Sequence, residues 1–196
     1  MPCCCGNCVQ RCAPSNPERF ADISRRYDII APMAEKKTRP ASNTPSSREE
    51  LATLLDGTGL FGDFTHEENK TVAHYVMAIQ APEGATVFRE GEHIGHMCLL
   101  VKGRLELFKK SDKGERKKIA EVSTGKAIGE MSALDGQPYS ATAIAAESSV
   151  LILLTRDKLH RITEEYPRLG VKLLWKLTRL LSQRLRQTTG KLVDLL

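Results

Sequence analysis

Gly125 to Ala145 reads GKAIGEMSALDGQPYSATAIA, a short turn-and-helix piece caught between two apolar, strand-like runs. A tight turn at Gly125 leads to Ile128-Gly129-Glu130-Met131. A short helical stretch follows, broken by Asp135-Gly136 and Pro138, and Ser140-Ala141-Thr142 then enters a strand. Glycine lets backbone N–H groups approach an anion closely, and free N–H groups at the start of a short helix favour negative charge. Glu130 would repel a bare anion, yet it supplies the acceptor that a sugar hydroxyl needs. The spacing therefore points to phosphate beside ribose.

The pattern I-G-E-M-S-A-L-D-G-x-P-x-S-A-T resembles the phosphate-binding cassette of the cyclic nucleotide-binding domain family. Two earlier runs, Phe88-Arg89-Glu90-Gly91-Glu92 and Leu100-Val101-Lys102-Gly103-Arg104-Leu105-Glu106-Leu107, match that family's strand and turn pattern in the same order. Three matches in order are far more specific than one motif. The likeness runs from about Leu60 to the C-terminus, in particular to the sensor half of the bacterial catabolite activator type.

The resemblance implies an α+β fold: a β-roll, which is an antiparallel jelly-roll-like barrel, with N-terminal helices and a long C-terminal dimerisation helix. It implies a cyclic nucleotide held by Ile128, Gly129, Glu130, Met131 and Ser132, and by Tyr139, Ser140 and Ala141. The C-terminal helix closes the pocket in this family. Gln183 to Leu192 aligns with the segment that does so, which places Arg184 beside the ligand and puts Thr188 and Thr189 where hydroxyl residues touch the purine.

One position departs from the pattern. Family members that bind cyclic mononucleotides typically carry an arginine before the cassette's Ser-Ala, and here that residue is Tyr139. Tyrosine keeps a donor and a flat face but loses the permanent charge and the two-pronged geometry. The expected consequence is weak binding of cyclic AMP or cyclic GMP. Cyclic di-GMP is expected to bind at least comparably, stacking on Tyr139 and engaging Arg184 or Arg186. A second reading keeps the fold but not the ligand, as a dimeric interaction scaffold with a degenerate pocket.

The chain has 196 residues, 41% of them hydrophobic, enough for one domain with a sizeable core and extensions. No stretch approaches the roughly 18 consecutive apolar residues of a membrane span, and the N-terminus lacks a signal peptide's apolar core. A cytoplasmic protein without membrane insertion is expected. The net charge of +5 does not by itself argue for nucleic acid.

Residues 1–47 read as a tail or linker. Pro2, Pro14, Pro17, Pro32, Pro40 and Pro45 punctuate it, and Thr38 to Ser47 is almost free of apolar residues. Arg19 to Met33 has enough apolar residues for a short helix or docking segment. Cys3, Cys4, Cys5, Cys8 and Cys12 crowd its start, and a C-x-x-C at Cys5 and Cys8 has the spacing of a thiolate zinc site. With no histidine before His66 and no second C-x-x-C, free thiols are the simpler reading, and no metal is assigned. Lipidation is a further use of such a cluster.

The domain is expected over 48–196. Ser46 to Glu50 reads as a helix cap opening a helix through Leu51, Leu54 and Leu55, stopped by Asp56-Gly57. Glu67 to Ile79 reads as a second helix with Val72, Tyr75, Val76 and Ile79 on one face. Strands are expected at Met97 to Val101, Arg104 to Lys109, Lys117 to Val122, Ala141 to Ala145 and Val150 to Leu154, with a hairpin turn at Ser111 to Glu115 and a basic rim beside it. Asp157 to Tyr166 reads as a short helix before Pro167.

The last helix spans 169–196. Leu174, Leu177, Leu181, Leu185, Thr188, Leu192 and Leu195 average about 3.5 residues apart, the spacing of a coiled-coil seam, so a homodimer through this helix is expected. Catabolite-activator-type regulators continue into a winged helix-turn-helix, and the sequence holds none after Leu196, so direct DNA binding is not expected. No nucleophile, base and orienting group converge in the sequence. The expectation is a non-catalytic sensor that signals to an unidentified effector protein.

Overall fold

The structure is a computed structural model and describes residues 45, 47–111 and 113–193. The cysteine cluster, the expected tail up to residue 44, the docking segment within it, and Leu195 lie outside the described residues.

The first helix among the described residues, α1 (Arg48–Asp56), opens on Ser47, whose hydroxyl accepts from the Glu50 N–H at 3.1 Å while the Glu50 carboxylate accepts from the Ser47 N–H at 3.3 Å. Two otherwise orphaned donors are satisfied in this way. The same device at Thr65 and Glu68 starts α2 (His66–Val72).

The expected helix from Glu67 to Ile79 is cut short at Val72. After a turn at 73–75, Met77–Ala81 is strand β1, paired antiparallel to β8 (Ser149–Thr155) with Ile79 opposite Leu151. An open strand edge overrides a helical spacing that spans only two turns.

Among the described residues, eight antiparallel strands form two four-stranded sheets. One runs in the order β1, β8, β3 (His96–Lys102), β6 (Ala127–Ile128). The other runs β2 (Thr86–Phe88), β7 (Thr142–Ala145), β4 (Arg104–Lys110), β5 (Arg116–Ser123). The chain passes from one sheet to the other at Gly103, with φ +97°, where an added Cβ would sit 2.3 Å from the Ser149 hydroxyl and 2.8 Å from the Ser149 Cα. Only glycine fits that corner.

Both central strands of the first sheet are buried on both faces. Met97 and Leu99 of β3, with Ile152 and Leu154 of β8, meet the helices, and their alternating neighbours Cys98, Leu100, Leu151 and Leu153 face into the roll.

Three helices follow from the cassette onward: α3 (Glu130–Asp135), α4 (Arg156–Glu165) and α5 (Pro167–Val193). Leu169, Leu173 and Leu177 of α5 pack into one core with Leu51 and Leu55 of α1 and with Phe61 and Phe64. This corrects the expected seam. Leu177 is fully buried against its own domain, because it continues the i, i+4 row of Leu169 and Leu173, while Leu174, Leu185 and Leu192 point outward. From Pro167 to Val193, α5 contains no aspartate or glutamate and seven arginines and lysines. Among the described residues, no helix is long and apolar enough to cross a membrane.

Candidate functional site

The cassette turns on Gly129. Strand β6 ends at Ile128, and Gly129 takes φ +74° to start α3. A Cβ there would lie 2.9 Å from the His96 carbonyl oxygen and 3.1 Å from the Tyr139 ring. The residue is glycine both for its handedness and for lack of space. A second left-handed glycine, Gly136 at φ +72°, ends α3 and sends the chain through Tyr139 toward β7.

A cleft of about 420 Å³ opens where these segments meet. Ile128, Gly129, Glu130, Met131 and Ser132 form one wall. Tyr139, Ser140 and Ala141 form the other, and Arg184 of α5 reaches in from the side. Nine of the residues singled out in the sequence thus share one cleft. Thr188 and Thr189 are not among its lining residues: they lie further along α5, exposed, and their hydroxyls donate to Arg184 O and Leu185 O, both at 2.9 Å. Phe88 and Leu107 complete the lining and were missed in the sequence. The apolar alternation of Leu105 and Leu107 in β4 was the available signal.

Tyr139 has a role that its sequence position did not reveal. It is 3% exposed and its ring stacks on Phe88, centroids 4.1 Å apart and 13° from parallel, with the His96 imidazole edge-on at 5.7 Å. Its hydroxyl donates to the His96 carbonyl at 2.8 Å and accepts from the His96 N–H at 3.1 Å. Donor and face are therefore already in use, and the platform on which a cyclic dinucleotide was expected to stack is covered. Burial pushes the His96 pKa down to about 4, so its ring is neutral behind the cleft.

The Arg89 to Glu92 turn braces the same loop. Gly91 N–H donates to Tyr139 O at 2.9 Å, Tyr139 N–H to Glu92 O at 3.1 Å, and Glu90 N–H to the Thr142 hydroxyl at 3.0 Å. Lys109 of β4 donates to Ser140 O at 2.8 Å and pairs with Glu90 at 3.4 Å. The second sequence motif thus acts by positioning the first.

Charge inside the cleft is balanced. Glu130 is 2% exposed, and its Oε1 accepts from the Arg184 guanidinium, which also donates to the Ala127 carbonyl. These two bonds join the cassette to α5. Two other polar atoms of the cleft, Glu130 Oε2 and the Ser132 hydroxyl, are buried without a partner. Among the described residues, no group of three or more histidine, cysteine, aspartate or glutamate side chains could hold a metal.

Comparison with known proteins places this geometry. The family model "Cyclic nucleotide-binding domain" matches residues 78–166. The cyclic AMP receptor protein of Thermus thermophilus is 30% identical over 142 residues, covering 72% of this chain and 63% of that protein. A cAMP-dependent protein kinase regulatory subunit of Aspergillus fumigatus is 29% identical over 115 residues, 59% of this chain and 27% of that one. The chain therefore spans less than two thirds of the length of these relatives. A crystal structure of a cyclic nucleotide-binding domain from Methylobacillus flagellatus superposes with a TM-score of 0.68 at 31% identity, covering 76% of this chain and 84% of that one. With its two antiparallel sheets, its left-handed glycine turn and the Glu130 cleft beneath a long helix, this chain belongs to the cyclic nucleotide-binding domain family.

Proposed function

We propose that this chain is a non-catalytic sensor of a cyclic mononucleotide, with cyclic AMP the first candidate, and that α5 passes the state of the cleft to a partner protein. The observation that carries the proposal is the Glu130–Arg184 pair. It ties a buried carboxylate with one bare oxygen, suited to a ribose hydroxyl, to the helix that leaves the domain. The backbone of Ser140 and Ala141 stands across the cleft, where N–H groups can take a phosphate.

A ligand hydroxyl arriving at Glu130 shares its acceptor with Arg184. Any readjustment of the guanidinium is then felt by α5, so ligand binding and helix position become linked. The covered face of Tyr139 favours a mononucleotide over cyclic di-GMP. Similarity to the Thermus cyclic AMP receptor protein and to the Aspergillus cAMP-dependent protein kinase regulatory subunit supports cyclic AMP over cyclic GMP. The same proposal includes a homodimer through the outward leucines of α5, a cytoplasmic location, and an effector protein rather than DNA as the downstream partner.

The scaffold reading also has one observation in its favour: Arg184 already occupies Oε1 of Glu130. Calorimetry of the full chain with cyclic AMP, cyclic GMP and cyclic di-GMP separates the two. Saturable heat with cyclic AMP, weakened about tenfold or more by Glu130→Gln, is the expected result. Absence of heat with all three nucleotides would leave the scaffold.

A further inference from the structure

We propose that the Ser132 hydroxyl is a phosphate ligand that takes over the work of the missing arginine, so that the cleft holds a singly charged cyclic phosphodiester by neutral hydrogen bonds. This rests on the cyclic nucleotide reading above. Of the residues lining the cleft, only Glu130 and Arg184 carry charge, and they are bonded to each other. No cation of the cleft is left for a phosphate.

Ser132 is 2% exposed, lines the cleft, and its hydroxyl has no partner. That state differs from that of five helical threonines of this protein. Thr53, Thr71, Thr178, Thr188 and Thr189 each donate to the carbonyl four residues back, at 2.8 to 3.1 Å. Ser132 sits in the first turn of α3, where the residue four back is Ile128, the end of a strand, so no helical carbonyl is available. Buried hydroxyls without a partner are uncommon enough to need a reason. A ligand atom that completes the bond is such a reason.

The other unpartnered atom, Glu130 Oε2, is two residues away on α3. Residues two apart on a helix do not face one another, so the two cannot satisfy each other and stand at separate points of the wall. Carboxylate oxygen only accepts, whereas a hydroxyl can donate. The complementary ligand therefore carries a hydroxyl for Glu130 and, a few bonds away, an acceptor oxygen for Ser132. A ribose fused to a cyclic phosphate has both. A phosphomonoester carries up to about two negative charges at neutral pH, and its second charge would find no free cation in the cleft. Cyclic diesters are thus selected over the corresponding monophosphates.

The test is calorimetry of the full chain with cyclic AMP, 5′-AMP and the two phosphorothioate diastereomers of cyclic AMP, in wild type, Ser132→Ala and Ser132→Cys. Expected for Ser132→Ala is about a tenfold loss of cyclic AMP affinity, with the ligand-free melting temperature unchanged or raised. The wild type should discriminate between the phosphorothioate diastereomers and Ser132→Ala should do so less; Ser132→Cys, a weak donor of similar size, should fall between. Cyclic AMP affinity of Ser132→Ala within twofold of wild type would overturn the inference and leave the sensor reading intact. So would phosphorothioate discrimination that does not change in the variant. A wild type that binds no cyclic nucleotide would remove both.

Discussion

Arg184 and Glu130 are fifty-four residues apart in sequence and hydrogen-bonded in the fold, and the carboxylate is the buried partner. Removing the cation strands a charge away from water. Arg184→Ala is expected to lower stability by about 2 kcal/mol, less than a fully buried pair because the guanidinium is partly exposed. Adding Glu130→Gln to that variant should recover part of the loss. Urea denaturation of the two variants measures both.

Tyr139→Phe keeps the ring against Phe88 but removes both hydrogen bonds to the His96 backbone. A loss of about 1–3 kcal/mol is expected, because buried backbone groups lose a partner. Tyr139→Arg should melt lower still: the side chain at this position is buried against Phe88, so an arginine that keeps to it adds a charge away from water. Thermal melts of the two variants rank them.

His66 links α1 to α2. Its Nδ1 lies 2.7 Å from Asp56 and its Nε2 3.1 Å from Glu49. The Glu49 and Asp56 hydrogen bonds raise its pKa above the usual 6.5, with nearby Lys70 opposing them. A raised folded pKa means a contribution that is complete below the unfolded value and lost as pH rises through the folded one. Glu49 and Asp56 are shifted down, so their contribution is present above their unfolded values and lost in acid. The melting temperature should therefore fall between about pH 6 and pH 8 in the wild type, and fall less in His66→Gln.

Cys98 is fully buried in β3, and burial pushes its thiol up to about 12. Thiolate is the reactive form. Peptide mass spectrometry after alkylation should find Cys98 unmodified in native protein and modified in denaturant.

The two faces of α5 should respond differently to mutation. Leu181→Asp with Leu185→Asp is expected to convert a two-chain sedimentation mass to one chain with the fold retained, since Leu185 is 68% exposed within a single chain. Leu177→Ala, on the inner face, is expected to cost about 2–5 kcal/mol of stability without changing the mass of the folded species.

What the sequence could reveal follows from how local each signal is. The cap of α1, the glycine-punctuated strands and the cassette residues are short-range patterns, and they were legible; the Thr65 cap of α2 is equally local and was not read. Assignment of β1 depended on β8, seventy residues away in the chain, so Glu67 to Ile79 read as helix. Leu177 satisfies both an inner row and an outer seam by spacing alone, and only packing against Leu51 and Leu55 decides between them. The departure at Tyr139 was visible, but its partner His96 was not, because nothing in a linear pattern shows that a backbone N–H and C=O forty-three residues away will close on one hydroxyl.

The composition of α5 sets a condition on any contact it makes with itself. On the domain side, Lys172, Lys176 and Arg184 are matched by Glu68, Asp63 and Glu130. Arg179 and Arg186 face outward on a helix with no acidic residue to answer them. Two copies brought side by side repel each other through these charges even as their leucines attract, and dissolved salt weakens only the repulsion. Self-association of this helix should tighten as ionic strength rises, and an acidic partner would meet the same surface with the opposite dependence.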